Sequence, residues 1–346
     1  MVDVTVIGAG VFGLSTAWAC ARRGAKVRVI DRTGIAAGCS GGVVGMLAPH
    51  APERWTPVKE FQFQSLIGAE PFWREVETAS GLASGYDRVG RLQPIDSDRA
   101  LELAREREAG ADLHWRGLAR WRVIETAEAG DWCPQSASGR VIHETLSARI
   151  HPRRACAALA GAIRAHGGEI IIGDAAHAGG KTVWATGLAG LEELNQTLGR
   201  QVGNGVKGQA ALLGLDARGM PIASAGDILV VPHADGTVAV GSTSERDYAS
   251  PDRTDALLDD LILRAIAVFP MLAAAPIVER WAGLRPRAKS RAPMLGRHPT
   301  RPGDYIANGG FKIGFGMAPK VAEAMADLLL EGHDTIPEPF RPAASL

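Results

Sequence analysis

The first thirty or so residues alternate between two patterns of hydrophobic positions. Val4–Ile7 is a continuous, mostly β-branched segment, and Lys26–Asp31 is a second short strand-like segment that ends in an acid. Each is typical of a strand in a buried sheet. Between them the spacing predicts a helix, whose apolar face comprises Val11, Leu14, Ala17, Trp18 and Ala21. The pattern therefore predicts a strand–helix–strand unit.

The turn into this helix carries the sequence Gly-Ala-Gly-Val-Phe-Gly, residues 8–13. Gly8 permits a tight turn, Gly10 lets a pyrophosphate approach the backbone, and Gly13 lets the helix pack on the strand. The helix N-terminus presents N–H groups that attract an anion. Asp31 follows Gly13 by 18 residues, where an acid binds a ribose hydroxyl. Together these features predict a dinucleotide site.

The rest of the chain contains both helical spacing and strand-like alternation of apolar residues. Helical spacing predicts helices over residues 58–79, 97–108, 153–166, 252–269 and 318–330. Strands are expected over residues 88–95, 169–172, 182–187 and 278–281, and residues 206–245 have the alternation of an antiparallel sheet. Strand–helix–strand segments thus occur again after the intervening residues 84–145, which predicts a discontinuous nucleotide domain. The tail after residue 332 is rich in proline and is expected to pack loosely.

Composition limits the classes of partner and of metal or disulfide site that the chain can be expected to have. Lys and Arg total 38 and Asp and Glu total 38, so zero net charge counts against nucleic acid and anionic membranes as partners. No apolar segment is long enough to span a bilayer. The four cysteines are scattered and the histidines lack ligand spacing, so neither disulfides nor a metal site is expected. The dinucleotide strand stands where a signal peptide would, which predicts a cytoplasmic protein.

Three segments resemble the D-amino-acid oxidase family of FAD enzymes, and within it glycine oxidase of the thiamine-biosynthesis type. The first is the N-terminal glycine motif with Asp31. The second, Ser40–His50, is similar to the small-residue segment that runs along the flavin in this family. The third combines Arg280–Pro299 with Ile306–Pro319. The resemblance extends over nearly the whole chain through Ile150–Pro152, Val183–Gly187 and Val206–Gln209.

The resemblance implies an α/β fold, α+β over the whole chain, with two discontinuous domains. A Rossmann-like FAD-binding domain would comprise residues 1–83, 146–203 and 283–346. An antiparallel-sheet substrate domain would comprise residues 84–145 and 204–282. The implied reaction is oxidative deamination of a small amino acid or related amine by non-covalent FAD. A hydride passes from the α-carbon to flavin N5, the imine is hydrolysed to an oxo acid, and oxygen reoxidises the flavin to give hydrogen peroxide.

The family pattern also implies site residues. Arg285 would clamp the substrate carboxylate, and Lys312, where glycine oxidase has an arginine, would serve substrate and flavin. The implied substrate-binding residues are Met46, Ala51, Leu229, Ser244, Arg285 and Lys312. The implied cofactor-binding residues are Gly8, Gly10, Val11, Phe12, Gly13, Asp31, Arg32, Ser40, Val44, Gly45, Met46, Ala176, Thr186, Gly187, Gly310, Lys312, Ile313, Gly314, Phe315 and Gly316.

The sequence departs from the family in several places. Leu229 stands where the family has an active-site tyrosine, and Ser244 stands where a methionine lines the glycine pocket. We therefore expect room for a bulkier, more apolar substrate than glycine. The chain is also shorter than the family between Ile172 and Thr182, which bears on FAD affinity. Arg287 falls near the position of the flavin-linking cysteine of sarcosine oxidases, which favours non-covalent FAD.

Other interpretations stay open. Arg285 could instead form an ion pair with a buried acid such as Glu279, and Lys312 could be an ordinary surface lysine. A dehydrogenase would pair the same flavin chemistry with a quinone or another acceptor, and a flavin-binding protein with an altered pocket would also fit Leu229. A nicotinamide dehydrogenase explains the later glycine-rich segments poorly. The expected partners are a small amino acid or amine, oxygen or another electron acceptor, and a second copy of the chain.

Overall fold

The structure is a computed structural model that describes residues 1–175 and 179–346. The strands of this part are β1 (Val4–Ile7), β2 (Val27–Asp31), β3 (Met46–Leu47), β4 (Arg91–Ile95), β5 (Trp121–Glu125), β6 (Arg140–Glu144), β7 (Ala148–Arg149), β8 (Glu169–Ile172), β9 (Lys181–Trp184), β10 (Gly203–Leu213), β11 (Ile222–Ala225), β12 (Ile228–Pro232), β13 (Val238–Gly241), β14 (Ile277–Ala288), β15 (Met294–Arg297) and β16 (Tyr305–Asn308). Its helices are α1 (Val11–Ala21), α2 (Pro57–Ile67), α3 (Ala69–Ser80), α4 (Asp98–His114), α5 (Thr126–Ala129), α6 (Pro152–Ala165), α7 (Gly187–Leu198), α8 (Ala256–Val268) and α9 (Gly314–Ala326).

The first sheet has the strand order β15-β16-β9-β1-β2-β8. β1 pairs in parallel with β2 and with β9, whereas β15 is antiparallel to β16. Every residue of α1 is buried, and this helix packs against the sheet, α6 and α9. The carboxyl ends of β1, β2 and β9 therefore meet at one edge, where ligands bind in open parallel sheets.

The second sheet has the strand order β14-β10-β13-β12-β11-β4-β6-β5 and is mostly antiparallel. One face packs on α8, where the strands contribute Val230 and Val240 to a buried cluster with Leu258 and Leu261. The opposite face contacts the segment between β2 and β3, because Val44 packs directly over Gly241. The second sheet therefore forms a floor beside the nucleotide-type sheet.

Several element predictions were wrong in their limits. The helix over residues 58–79 is two helices that meet at Gly68, and α9 begins at Gly314 rather than at residue 318. β14 runs unbroken from Ile277 to Ala288, although it contains Pro286. The tail is not loosely packed, because Phe340 is fully buried.

Two further expectations concern the whole chain. No helix within the described residues is long and apolar enough to cross a bilayer. The predicted boundary between residues 282 and 283 falls inside β14. The division of the chain into two domains stays a prediction.

Candidate functional site

A cavity of about 880 Å³ opens at the carboxyl edge of the first sheet, over the turn from β1 into α1. Gly8 has φ +113°, and a Cβ there would lie 2.3 Å from the carbonyl oxygen of Ala185. A Cβ on Gly13 would lie 2.0 Å from the carbonyl oxygen of Gly8. These two glycines therefore let strand, turn and helix approach one another. Gly10 meets only the Ser40 hydroxyl, at 3.2 Å from its Cβ position, so this side of the turn remains open to a ligand.

The electrostatics of this turn suit an anion beside a hydroxylated sugar. α1 carries no acidic side chain in its first turn, and the N–H of Val11 donates to Ser40 Oγ at 3.0 Å. Asp31 accepts hydrogen bonds from the N–H groups of Ala9, Thr33 and Gly34, at 2.7 to 3.0 Å. Partial burial raises the pKa of Asp31, but these donors outweigh it and hold the pKa below its usual value. Asp31 is thus an ionised acceptor at the end of β2.

Several predicted cofactor residues meet around this cavity. From the predicted set its lining includes Gly8, Gly10, Val11, Phe12, Asp31, Arg32, Ser40, Thr186, Gly187, Gly310 and Gly314. They come from the ends of β1, β2, β9 and β16, which explains why segments far apart in sequence share one ligand site. One further predicted cofactor residue, Ala176, lies outside the described residues. The individual contacts with FAD stay predictions.

The segment Val44–Met46 joins this cavity to the second sheet. Gly45 has φ +62°, and its Cβ would lie 1.8 Å from the carbonyl oxygen of Ile150, so its freedom serves the β3–β7 pairing. Val44 Cγ2 lies 2.6 Å from the Cβ position of Gly241. The segment therefore forms a roof over the second sheet, and Met46 packs there with it.

The turn before α9 closes the cavity from the other side. A Cβ on Gly310 would lie 2.8 Å from the Phe12 ring, and Ile313 stands at the start of α9. Phe315 and Gly316 lie in the first turn of α9 rather than in a loop, and neither is among the residues that line the cavity. Gly314 does line it, so α9 begins at the edge of the cavity, where the positive end of its dipole favours an anion.

Arg285 is a buried cation on β14, with 8% of its surface exposed. Its guanidinium lies against Gly208 of β10, since a Cβ there would be 2.0 Å from Nη2. Within the described residues its one hydrogen bond runs from Nη1 to the carbonyl oxygen of Thr243, at 3.0 Å. Burial lowers the pKa of Arg285, with Cys39 and Glu245 opposing, but an arginine stays protonated.

The alternative reading of Arg285 as an ion pair with Glu279 is wrong. Glu279 pairs with Arg153, whose Nη1 donates to Oε2 at 2.9 Å. In the part of the chain that the structure covers, no carboxylate forms a salt bridge with Arg285. A buried guanidinium with donors to spare fits an anionic ligand.

Lys312 stands near Arg285 at the start of α9. Its side chain is exposed, and Nζ lies 5.7 Å from the centre of the Phe311 ring. Partial desolvation and the charge of Arg285 lower the pKa of Lys312, with Asp227 opposing. Neither cation is itself among the residues that line the cavity, although the adjacent Pro286 and Phe311 are. Both cations therefore contribute positive potential near this part of the cavity, which favours an anionic ligand.

The other predicted substrate residues lie close to the same sheet. Paired residues on neighbouring strands share a face, so Leu229, Gly241 and Ala210 line up with Trp281 across four strands. Because Arg285 pairs with Val206, four pairs along from Ala210 and therefore of the same parity, it lies on that face as well.

Ser244 and Ala51 complete the predicted substrate set. Ser244 is exposed, and it alternates with two buried neighbours that point to the opposite face. The carbonyl of Ala51 accepts a hydrogen bond from Lys59 Nζ at 2.7 Å, which fixes the segment after β3. Sequence reasoning missed Gly208, Thr243 and Trp281. The Val206–Gln209 motif was the available signal for the first.

The geometry so far defines a dinucleotide-binding fold of the oxidoreductase type. It has an anion-attracting face beside the glycine turn from β1 into α1. Over residues 3–328 the chain matches the model of the DAO family, described as FAD dependent oxidoreductase, and it belongs to that family. The predicted family, fold class and cofactor are confirmed. An open glycine turn, the N-terminus of α1 and an ionised Asp31 are groups that fit the diphosphate and ribose of FAD.

Known relatives agree with this assignment. A glycine oxidase of Pseudomonas aeruginosa is 28% identical over 99% of this chain and 99% of its own length. A bifunctional protein ThiO/ThiG of Nostoc sp. is 27% identical over 95% of this chain, which spans only 53% of that longer protein. The crystal structure of glycine oxidase from Geobacillus kaustophilus has a TM-score of 0.83 at 22% identity, covering 98% of this chain and 97% of that one. The structural likeness shows the same fold.

Proposed function

We propose that this FAD-dependent oxidoreductase oxidises a small amino acid or a related amino-carboxylate. The observation that carries the proposal is Arg285, a buried guanidinium that has a single protein hydrogen bond among the described residues. Its strand neighbours Leu284 and Pro286 line the flavin-type cavity. A buried arginine needs an anionic partner, and its planar donors match a carboxylate in bidentate geometry. The names of the glycine-oxidase relatives support the same class of substrate.

The residues of this chain act by orientation. Arg285 would bind the carboxylate, Ser244 would add a hydroxyl beside it, and Lys312 would add positive charge near Arg285. Bound FAD supplies the two-electron acceptor. Holding the α-carbon of the substrate at a fixed position next to that acceptor converts an encounter into an intramolecular step, which is a large source of rate. The amine loses its proton to solvent before reaction, since this face offers cations and hydroxyls rather than a carboxylate base.

The apolar part of the face sets the preferred substituent. Beyond Arg285 the floor is formed by Ala210 and Leu229, and the roof by Val44 and Met46. We propose that an apolar group on the α-carbon or the nitrogen fits between them better than the bare hydrogen of glycine. Burial of each methylene contributes about 0.8 kcal/mol, so the preference should grow with chain length until the pocket is full.

The test is an anaerobic titration of the purified holoenzyme. Amino acids and N-alkyl glycines are added one at a time, and bleaching of the flavin absorbance is followed. At least one amino-carboxylate should bleach the flavin, and Arg285→Ala should lower kcat/KM by about two to four orders of magnitude, because a desolvated charge pair is lost. Peroxide formation in air then distinguishes oxygen from another electron acceptor.

A matched control lies on the same strand. Arg280 of β14 is exposed and pairs with Asp259, so Arg280→Ala removes an arginine without touching the proposed clamp. It should retain FAD and activity. Equal losses in both variants, or a wild-type flavin that no amino-carboxylate reduces, would contradict the proposal.

A further inference from the structure

A polar cluster lies on the face of the second sheet that turns away from the cavity, and all its members are buried except Asp255, whose side chain is 48% exposed. We name it the Lys207 cluster; it comprises Lys207, Gln209, Thr243, Glu245 and Asp255. Lys207 is fully buried, and its Nζ lies 2.9 Å from Asp255 Oδ2 and 3.4 Å from Glu245 Oε2. Burial lowers the pKa of Lys207, but Asp255 and Glu245 outweigh it and raise the pKa above its usual value. The cluster is therefore a set of paired charges.

Its amides and hydroxyl connect the members. Gln209 Nε2 donates to Glu245 Oε1 at 3.0 Å and to Asp255 Oδ1 at 2.8 Å. The backbone N–H of Gln209 donates to Thr243 Oγ1 at 2.8 Å, and that hydroxyl donates in turn to Glu245. Hydrogen bonds and ion pairs that interlink in this way restrain the groups they join, and these restrain the segment around Thr243.

The same segment holds the substrate-side arginine. β13 ends at Gly241, and after Ser242 the chain pairs again with β10 through the Thr243 N–H to Gln209 and a two-way exchange between Glu245 and Lys207. The side chain of Thr243 faces the cluster, whereas its carbonyl oxygen accepts the hydrogen bond from Arg285. Thr243 thus joins the two faces of the sheet.

A charge balance accompanies this connection. The cluster carries two carboxylates and one ammonium, so its formal charge is one negative unit beneath the positive guanidinium of Arg285. Gly208, between the two cluster residues of β10, leaves the space in which that guanidinium lies. Within the Val206–Gln209 motif, Lys207 and Gln209 thus belong to the cluster on one face, and Gly208 between them leaves room for the Arg285 guanidinium on the other face.

We propose that Thr243 is a positioning residue for Arg285, and that the Lys207 cluster fixes it. The cluster holds the Thr243 hydroxyl from behind, so its carbonyl sets where the guanidinium meets a carboxylate. This inference rests on the proposed carboxylate clamp. It assigns a role to residues that touch neither substrate nor cofactor.

The test compares Thr243→Val with Thr243→Ser in the holoenzyme. Valine keeps the shape and removes the hydroxyl, whereas serine keeps the hydroxyl. Acetate serves as a non-reacting carboxylate, and its dissociation constant is read from the perturbation of the flavin spectrum. Thr243→Val should raise that constant about five- to tenfold, the loss expected when a hydrogen bond to a charged group is misaligned, and Thr243→Ser should stay within about twofold of the wild type.

Kinetics and a second background separate positioning from stability. With a reducible substrate, Thr243→Val should raise KM by the same factor while kcat changes less. In an Arg285→Lys background the same substitution should change the acetate constant by less than about twofold, because the partner of the carbonyl has been replaced. A lower melting temperature with an unchanged acetate constant, or an equal effect in both backgrounds, overturns the inference.

Two controls keep the result interpretable. If Thr243→Val fails to retain FAD, the isosteric Glu245→Gln weakens the acceptor of the Thr243 hydroxyl instead and should also raise the acetate constant; an unchanged constant there overturns the inference. Acetate binding to the wild type that depends on Arg285, without reduction by any amino-carboxylate, overturns the proposed function and leaves the positioning inference standing. Absence of acetate binding to the wild type, together with no reduction by any amino-carboxylate, overturns both; if an amino-carboxylate does reduce the flavin, its KM takes the place of the acetate constant in the comparisons above.

Discussion

Two regions of the candidate site are built differently: the turn from β1 into α1, called the nucleotide cradle, and the face of the second sheet that carries Arg285 and Leu229, the proposed substrate face. The cradle is mostly backbone: Gly8 and Gly13 allow contacts that no side chain would tolerate, and the end of α1 supplies its N–H groups. The substrate face is mostly side chains, led by Arg285 and Leu229, that three or more separate segments bring together. Substrate specificity can therefore vary on the proposed substrate face without disturbing the nucleotide cradle.

The cradle can be disrupted most strongly at Gly8. Gly8→Ala would place a Cβ 2.3 Å from the Ala185 carbonyl at φ +113°, so both strain and overlap oppose the native turn. We expect a loss of at least about 3 kcal/mol in the free energy of unfolding, together with loss of bound FAD. Chemical denaturation of the apoprotein and the FAD content of the purified protein measure the two effects.

Gly24 offers a matched control for this substitution. It has φ +87°, but nothing lies within 4 Å of its Cβ position. Gly24→Ala should therefore cost only the backbone strain, about 1 to 2 kcal/mol, and FAD should be retained. If both variants behave alike, overlap with Ala185 does not define the cradle.

The cradle could be predicted from the sequence because its causes are local. A glycine spacing, one strand on each side and an acid at the end of the second strand already determine the turn, and Gly8, Gly13 and Asp31 take the positions expected of them. Arg285 and Leu229 could be placed on one face only through the family resemblance, because nothing in their own segments indicates which strands become neighbours.

Other features escaped prediction for physical reasons. The strand predicted over residues 278–281 ends before Pro286, yet β14 continues through this proline because β14 is an edge strand, where a missing N–H is tolerated. The helix predicted over residues 318–330 begins four residues earlier, at Gly314, since Gly314 and Gly316 have low helix propensity and give no helical signal. The role of Thr243 depends on the irregular pairing after Gly241, which places successive side chains on faces that simple alternation from β13 does not predict.

The contact between the two regions is expected to respond to pH through His233. This histidine is buried in the β12–β13 hairpin, and its Nε2 lies 2.8 Å from the carbonyl oxygen of Val43, next to the roof segment. Burial lowers its pKa to about 4, with His151 and Arg149 acting in the same direction. Below about pH 6.5 the unfolded chain binds a proton that the native protein excludes, so stability should fall from there down to about pH 4, by at most about 3 kcal/mol.

The substitution His233→Gln tests this assignment. Glutamine can keep an N–H donor to Val43 but does not titrate, so the variant should lose less stability between pH 6.5 and 4 than the wild type. His298, whose pKa is also lowered to about 4, is present in both proteins and cancels in the difference. Parallel stability curves would mean that His233 does not link the hairpin to pH.

The smallest expected effect changes specificity within the substrate face. Leu229→Tyr would restore the phenol that the glycine-oxidase pattern has here, and Leu229→Phe supplies the same ring without the hydroxyl. The tyrosine variant should gain about 1 kcal/mol in kcat/KM for glycine over the phenylalanine variant, since a hydrogen bond to the carboxylate is added. Both should lose activity towards substrates with larger apolar groups, because either ring occupies the space beside Leu229. Equal glycine kinetics in the two variants would place residue 229 away from the carboxylate, whereas an unchanged preference for large substrates would place it outside the apolar pocket. The comparison thus separates the polar and the steric consequences of one substitution, on a face whose neighbouring cradle should bind FAD equally in all three proteins.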